Sequence, residues 1–227
     1  TKATSDAPSA TSRSSTARHI NLTSAAKPPR VEFHFDFGSP NSFLAHRVIP
    51  KIEARTGATF EYVPVLLGGI FKLTGNVPPM VSMQGIKNKP EYQALEMQRF
   101  LARYAIDDYR FNPHFPIVTL QLMRGAIKAQ RLGCFEPYVE AVFRFMWSEP
   151  RKLDDPEVFA AALHEAGLDA EALIAGAADP EVKAELIANT QASVERGVFG
   201  SPSFFVGDEL FFGKDRLEDV EREIISR

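Results

Sequence analysis

Ser39, set between Gly38 and Pro40, is the residue whose type and surroundings most suggest chemistry. Proline is favoured at the first position of a helix, so Ser39 falls at a helix N-cap, where its hydroxyl meets unpaired backbone N–H groups and the positive end of the helix dipole. Such a place favours an anion, although a plain capping role explains Ser before Pro equally well. His34 and Asp36 share one face of the preceding strand, opposite Phe33, Phe35 and Phe37, and have the composition of an acid–base pair; strand neighbours two apart more often serve structure. Cys134 is the sole cysteine. A lone thiol excludes dithiol chemistry within the chain, and after Gly133 it reads as a small core residue. The five histidines have no metal-ligand spacing, so no metal is expected.

The elements around Ser39 follow from periodicity. Residues 31–37 alternate as a β-strand, 41–56 carry apolar Phe43, Leu44, Val48, Ile49 and Ile52 at helical spacing, and 59–65 alternate again. Gly57 should stop the helix and Pro50 should kink it. This β-α-β unit has parallel strands and a right-handed crossover, which puts Ser39 at the carboxyl end of a parallel strand, where open α/β sheets bind ligands. A passage rich in Gly and Pro, through Gly68, Gly69, Gly75, Pro78 and Pro79, reads as loop. Helical patterns then cover 91–104, 117–132, 135–147, 156–165, 170–175 and 180–196. Strands over 203–206 and 209–212, joined by Gly207-Asp208, and a helix over 215–225 close the chain. Neither β-containing end has enough strands for a sheet of its own, so the two must pair across the helical block. The fold expected is α/β, thioredoxin-like with an inserted all-helical domain: 31–66 and 197–227 form the discontinuous first domain and 67–196 the insertion.

Composition sets the outer limits. The 227 residues are 44% hydrophobic with 18 Phe, enough for a substantial core, and no apolar run approaches membrane-spanning length. A net charge of -3 gives no general footprint for nucleic acid or an anionic membrane. Residues 1–30 hold Lys2, Arg13, Arg18, Lys27 and Arg30 against only Asp6, and almost no large apolar side chain. They are expected to form a disordered arm. A cytoplasmic location is expected, or an organellar one if this Ser- and Arg-rich stretch is a transit peptide.

Five segments carry a resemblance. Phe35-Asp36-Phe37-Gly38-Ser39-Pro40-Asn41-Ser42-Phe43-Leu44-Ala45 is followed in order by Gly75-Asn76-Val77-Pro78-Pro79, Asn112-Pro113-His114-Phe115-Pro116, Gly200-Ser201-Pro202-Ser203-Phe204-Phe205-Val206 and Phe212-Gly213-Lys214-Asp215-Arg216-Leu217. Together they resemble the 2-hydroxychromene-2-carboxylate isomerase and kappa-class glutathione transferase family of the DsbA-like thioredoxin superfamily. The resemblance implies glutathione as cofactor, a small aromatic or electrophilic substrate, a homodimer, and cis–trans isomerisation of an aromatic oxo-acid by reversible thiolate addition. A kappa-like transferase and a non-catalytic thioredoxin-like binding module are the alternatives. It further implies that Ser39 donates a hydrogen bond to the glutathione sulfur, that Ser201-Pro202 is a cis-proline turn offering its backbone to the cysteinyl unit, and that Asn76 lies beside the active serine. Asp215 would bind the γ-glutamyl ammonium, backbone N–H groups around Lys214 its carboxylate, and Lys89, with Lys87 as rival, the glycyl carboxylate.

Overall fold

The computed structural model describes residues 1–2 and 29–227, so the arm expected over 1–30 lies almost wholly outside the described residues. Strand β1 (Arg30–Phe35), helix α1 (Pro40–Thr56) and strand β2 (Thr59–Pro64) form the expected unit, and β3 (Ser203–Val206) and β4 (Glu209–Phe212) supply the rest of a mixed sheet in the order β2-β1-β3-β4. β1 runs parallel to β2, with Phe33 opposite Tyr62, and antiparallel to β3, with Phe33 opposite Phe204. The two ends of the chain therefore share one sheet, with β1 at its centre.

β1 ends two residues earlier than its alternation predicts. The Val65 N–H to the Phe35 carbonyl is its last rung, after which Asp36 turns out of the ladder to cap backbone N–H groups with its carboxylate. Pro50 does not end α1. It sits on the exposed side, where it has no N–H to give the carbonyl of His46, and the helix runs on to a left-handed Gly57 with φ 71°.

Eight helices lie between β2 and β3 among the described residues. The first, α2 (Leu67–Thr74), occupies the passage that Gly68 and Gly69 mark as loop. Packing overrides propensity there: a Cβ at Gly69 would lie 3.1 Å from Thr190 Cγ2, so glycine lets α2 approach its neighbour, and Thr190 Oγ1 accepts the Leu66 N–H at 3.0 Å. α3 (Pro79–Ser82) is a single turn. α4 (Lys89–Tyr104), α5 (Leu120–Leu132), α6 (Phe135–Trp147), α7 (Pro156–Glu165), α8 (Ala170–Gly176) and α9 (Pro180–Glu195) match the helical patterns within three residues at each end. Asp155, Asp169 and Asp179 cap α7, α8 and α9 through their carboxylates. A 3-10 turn, Lys214–Arg216, leads into α10 (Leu217–Ser226).

Aromatic packing ties the sheet to the helices. Phe33 and Phe204 stack at 5.3 Å, and Phe37 meets Phe143 of α6 edge-on at 4.8 Å. Trp147 is wholly buried and donates Nε1–H to the Phe37 carbonyl at 2.8 Å, so it serves the core. Tyr138 of α6 donates to the Leu122 carbonyl of α5 over Gly125, where a Cβ would lie 2.0 Å from the Tyr138 oxygen. The outer edge of β2 is closed by side chains: Glu53 accepts from Phe60 N–H, Gln130 donates to the Tyr62 carbonyl and Asn189 to that of Pro64. No described helix is long and apolar enough to cross a membrane.

Candidate active site

Ser39 is the N-cap of the 17-residue α1, with extended backbone (φ -94°, ψ 112°), and its Oγ accepts the Ser42 N–H at 3.2 Å. The same hydroxyl donates to the Ser201 carbonyl at 2.9 Å. The Ser201–Pro202 peptide is cis, as the resemblance implies, and so is Phe115–Pro116. Ser39 is 4% exposed, held between the start of α1 and the cis-proline loop. An oxygen at this position faces the positive dipole end of a long helix, which stabilises negative charge.

Two further groups build the loop that presents Ser39. Asp36 is fully buried; its Oδ1 accepts Gly38 N–H at 2.8 Å and its Oδ2 accepts Leu67 N–H at 2.7 Å. Burial pushes this carboxyl above its ordinary range, opposed by the hydrogen bonds from Leu67, Gly38 and Thr119. Gly38 is needed for closeness, since a Cβ there would lie 3.0 Å from Thr119 Cγ2. Ser201 Oγ accepts the Asp36 N–H at 3.1 Å and sits 2.8 Å from Ser42 Oγ. Ser42 and Ser201 thus meet hydroxyl to hydroxyl, and the Ser39 hydroxyl joins them through the Ser42 N–H and the Ser201 carbonyl.

His34 and Asp36 take different partners. His34 Nδ1 bonds Ser193 Oγ of α9 at 2.7 Å and Nε2 bonds Glu32 at 2.9 Å. Burial depresses the imidazole pKa, with Glu32 pulling the other way. Burial also raises the Cys134 thiol. Neither arrangement activates a nucleophile.

Most of the other expected residues reach the cis-proline loop. Asn76 Nδ2 donates to the Phe199 carbonyl at 2.9 Å, two residues before Ser201, and the Gly213 N–H donates to the Pro202 carbonyl at 2.9 Å, which places Lys214 and Asp215 immediately after the loop's partner. The Lys214 side chain is 5% exposed; its ammonium lies 2.5 Å from Asp215 Oδ1 and 4.5 Å from the Phe100 ring centre of α4. The Asp215 side chain is 66% exposed, open to a second cation. Lys89 begins α4 on the surface, and no side-chain hydrogen bond or ion pair among the described residues ties it, or Lys87, to this group.

Sequence reading missed several of these parts. Ser42, at the third helical position after Ser39, is a legible signal in retrospect, because an N-cap serine is often partnered there. The buried Lys214 ammonium, and the paired Phe199 and Phe212 rings at 4.4 Å that flank the loop, left no sequence signature. Gly200 makes room for that pair: a Cβ would lie 2.7 Å from Phe212.

Comparison with known proteins bears on this arrangement. The DSBA-like thioredoxin domain family model matches residues 30–225. A 2-hydroxychromene-2-carboxylate isomerase of Pseudomonas putida is 30% identical over 192 residues, covering 84% of this chain and 92% of that protein. Glutathione S-transferase kappa 1 of Homo sapiens is 27% identical over 209 residues, covering 84% and 88%. A solved structure of 2-hydroxychromene-2-carboxylate isomerase superposes with a TM-score of 0.74 at 29% identity, covering 87% of this chain and 95% of that one.

Proposed function

The chain belongs to the DSBA-like thioredoxin family, with 2-hydroxychromene-2-carboxylate isomerases and kappa glutathione transferases among its relatives, and from this we propose a glutathione-dependent isomerase of aromatic unsaturated oxo-acids. One observation carries the reading: the Ser39 hydroxyl caps α1 and is bonded at 2.9 Å to the cis-proline loop. Glutathione, when bound, supplies a thiolate that adds reversibly to a conjugated carbon, so that the former double bond rotates and is restored as the thiolate leaves.

The residues present fit that ligand. The single Ser39 hydroxyl proton, given to the Ser201 carbonyl in the absence of ligand, would turn to a sulfur anion placed beside it, and the first amides of α1 add their dipole. A serine there leaves the reactive sulfur to the ligand, because a protein thiol would be open to exchange with glutathione disulfide, which leaves a mixed disulfide and releases one glutathione thiolate. Ser201 keeps a second carbonyl lone pair beside the one that accepts from Ser39, and so can still pair with a peptide-like N–H. Asp215 offers an exposed carboxylate for an ammonium, and the backbone N–H groups of the turn at Lys214 suit a carboxylate. Asn76 fixes the Phe199 carbonyl and with it the entry to the loop. We assign Ser39 as catalytic and Asn76, Lys89, Ser201, Pro202, Lys214 and Asp215 to glutathione, Lys89 resting on the resemblance alone.

The test is spectroscopic. Purified protein with glutathione should interconvert the ring-closed chromene carboxylate and the open benzylidenepyruvate, followed by absorbance, without consuming glutathione. Unchanged spectra with glutathione bound would sink the isomerase reading. The 27% identity to a kappa transferase supports a second reading, conjugation with release of product. Net glutathione consumption with an aryl halide and no isomerisation would select it, and absence of glutathione binding by calorimetry would point to a non-catalytic module.

A further inference from the structure

We infer that the cavity between α2, α5 and α9 is a binding site for an amphipathic anion, a single carboxylate or sulfonate on an apolar body. Three cations line it, one from each helix: Lys72, Arg124 and Lys183. None makes an ion pair among the described residues, although fifteen of the twenty ion pairs there engage an arginine. No acid lines the cavity to neutralise them. Arg124 Nε is buried and meets no acceptor, an arrangement that costs stability unless an acceptor is brought to it.

The remaining wall fits the body of such a ligand. Leu66, Leu73, Leu120, Leu186 and Ile187 surround the cations, and Leu73 and Ile187 are more than half exposed at the rim. A volume of about 280 Å³ lies just below the range of drug-sized sites, about 300–1,000 Å³. That admits a one- or two-ring aromatic acid and not a nucleotide. The planar guanidinium favours a carboxylate in a fork, and the two lysines add charge around it. The chain as a whole carries -3, so this is a local exception to an acidic molecule. The site is also placed to feel the Ser39 loop: Leu66 and Leu120 in its wall adjoin Leu67, whose N–H Asp36 accepts, and Thr119, whose methyl approaches Gly38.

Calorimetric titration of the full chain with 1-naphthoate, in the absence of glutathione, tests the inference. Wild type should bind 1-naphthoate at least about tenfold more tightly than neutral 1-naphthalenemethanol, and Arg124→Met should lose that preference, about 1.4 kcal/mol for a tenfold change. Ser39→Ala should retain it. Equal affinity of the acid and the alcohol for wild type, or full affinity of Arg124→Met for the acid, overturns the site, as does loss of binding in Ser39→Ala with Arg124→Met unaffected. Should Arg124→Met fail to fold by circular dichroism, the surface double variant Lys72→Met/Lys183→Met carries the same expectations.

Discussion

The Ser39 hydroxyl donates to the Ser201 carbonyl across 2.9 Å, joining two residues 162 positions apart in the chain. The bond gives one oxygen two duties, since it also accepts from Ser42 N–H. Ser39→Ala removes both and is expected to cost about 1–2 kcal/mol of stability. If the hydroxyl also serves the thiolate, glutathione-dependent turnover should fall on the order of 100-fold, the usual loss when one anion-stabilising donor is removed. Urea midpoints and initial rates on the same preparation separate the two effects. Full turnover in a destabilised variant would reduce Ser39 to a cap.

Asp36 holds the loop that presents Ser39, each carboxylate oxygen taking one backbone N–H. Asp36→Asn keeps the shape but turns an amide NH₂ toward one of those N–H groups. It is expected to destabilise by about 1–3 kcal/mol, the cost of an unsatisfied buried donor. Because Asp36 touches no ligand in this reading, its effect on the reaction should appear chiefly in kcat, through Ser39, with glutathione affinity little changed. A loss confined to glutathione affinity would contradict that positioning role.

Burial depresses the pKa of His34 below its ordinary 6.5, so the unfolded chain binds a proton that the folded chain refuses. Its contribution is therefore present above pH 6.5 and lost as pH falls through the folded value. For Glu32, burial acts to raise the carboxyl, but Arg196 and His34 outweigh it and hold it below 4.5. That second loss comes lower, as pH falls below 4.5. Unfolding free energies measured from pH 8 to 5 should decline on acidification in wild type and decline less in His34→Gln. Identical slopes would remove His34 as the source.

Gly125 packs beneath the Tyr138 ring, and a methyl there would stand 2.0 Å from its oxygen. Gly125→Ala should therefore destabilise despite the better helix propensity of alanine, by about 1–3 kcal/mol for overpacking. Gly125→Ala combined with Tyr138→Phe, which removes the clashing oxygen, should recover part of that loss in a thermal melt. A stabilised single variant would show that α5 and α6 can shift apart.

Periodicity alone located the strands and all but two of the helices, because alternating Phe on β1 and spaced apolar residues on α1 report burial directly. α2 was illegible because its glycines answer to Thr190, far away in sequence. The site divides the same way. Ser39 declared itself through Pro40, whereas Asp36, Ser42 and the Phe199–Phe212 pair matter through partners that only folding supplies. Lys214 was expected to offer its backbone; its side chain proved to be buried against Phe100, a contact between segments with no common pattern.

The central position of β1 sets a schedule for synthesis. β1, α1 and β2 leave the ribosome early but amount to only two strands and a helix, too few to hold a sheet. The 162 residues from Ser39 to Ser201 take roughly 8–30 s to translate at about 5–20 residues per second. Throughout that interval Phe33 has no Phe204 to stack on and the inner edge of β1 has no β3 to pair with, and a nascent chain so exposed is a natural client for holding chaperones. Expression yield should then depend on translation speed and chaperone supply more than the stability of the finished fold would suggest.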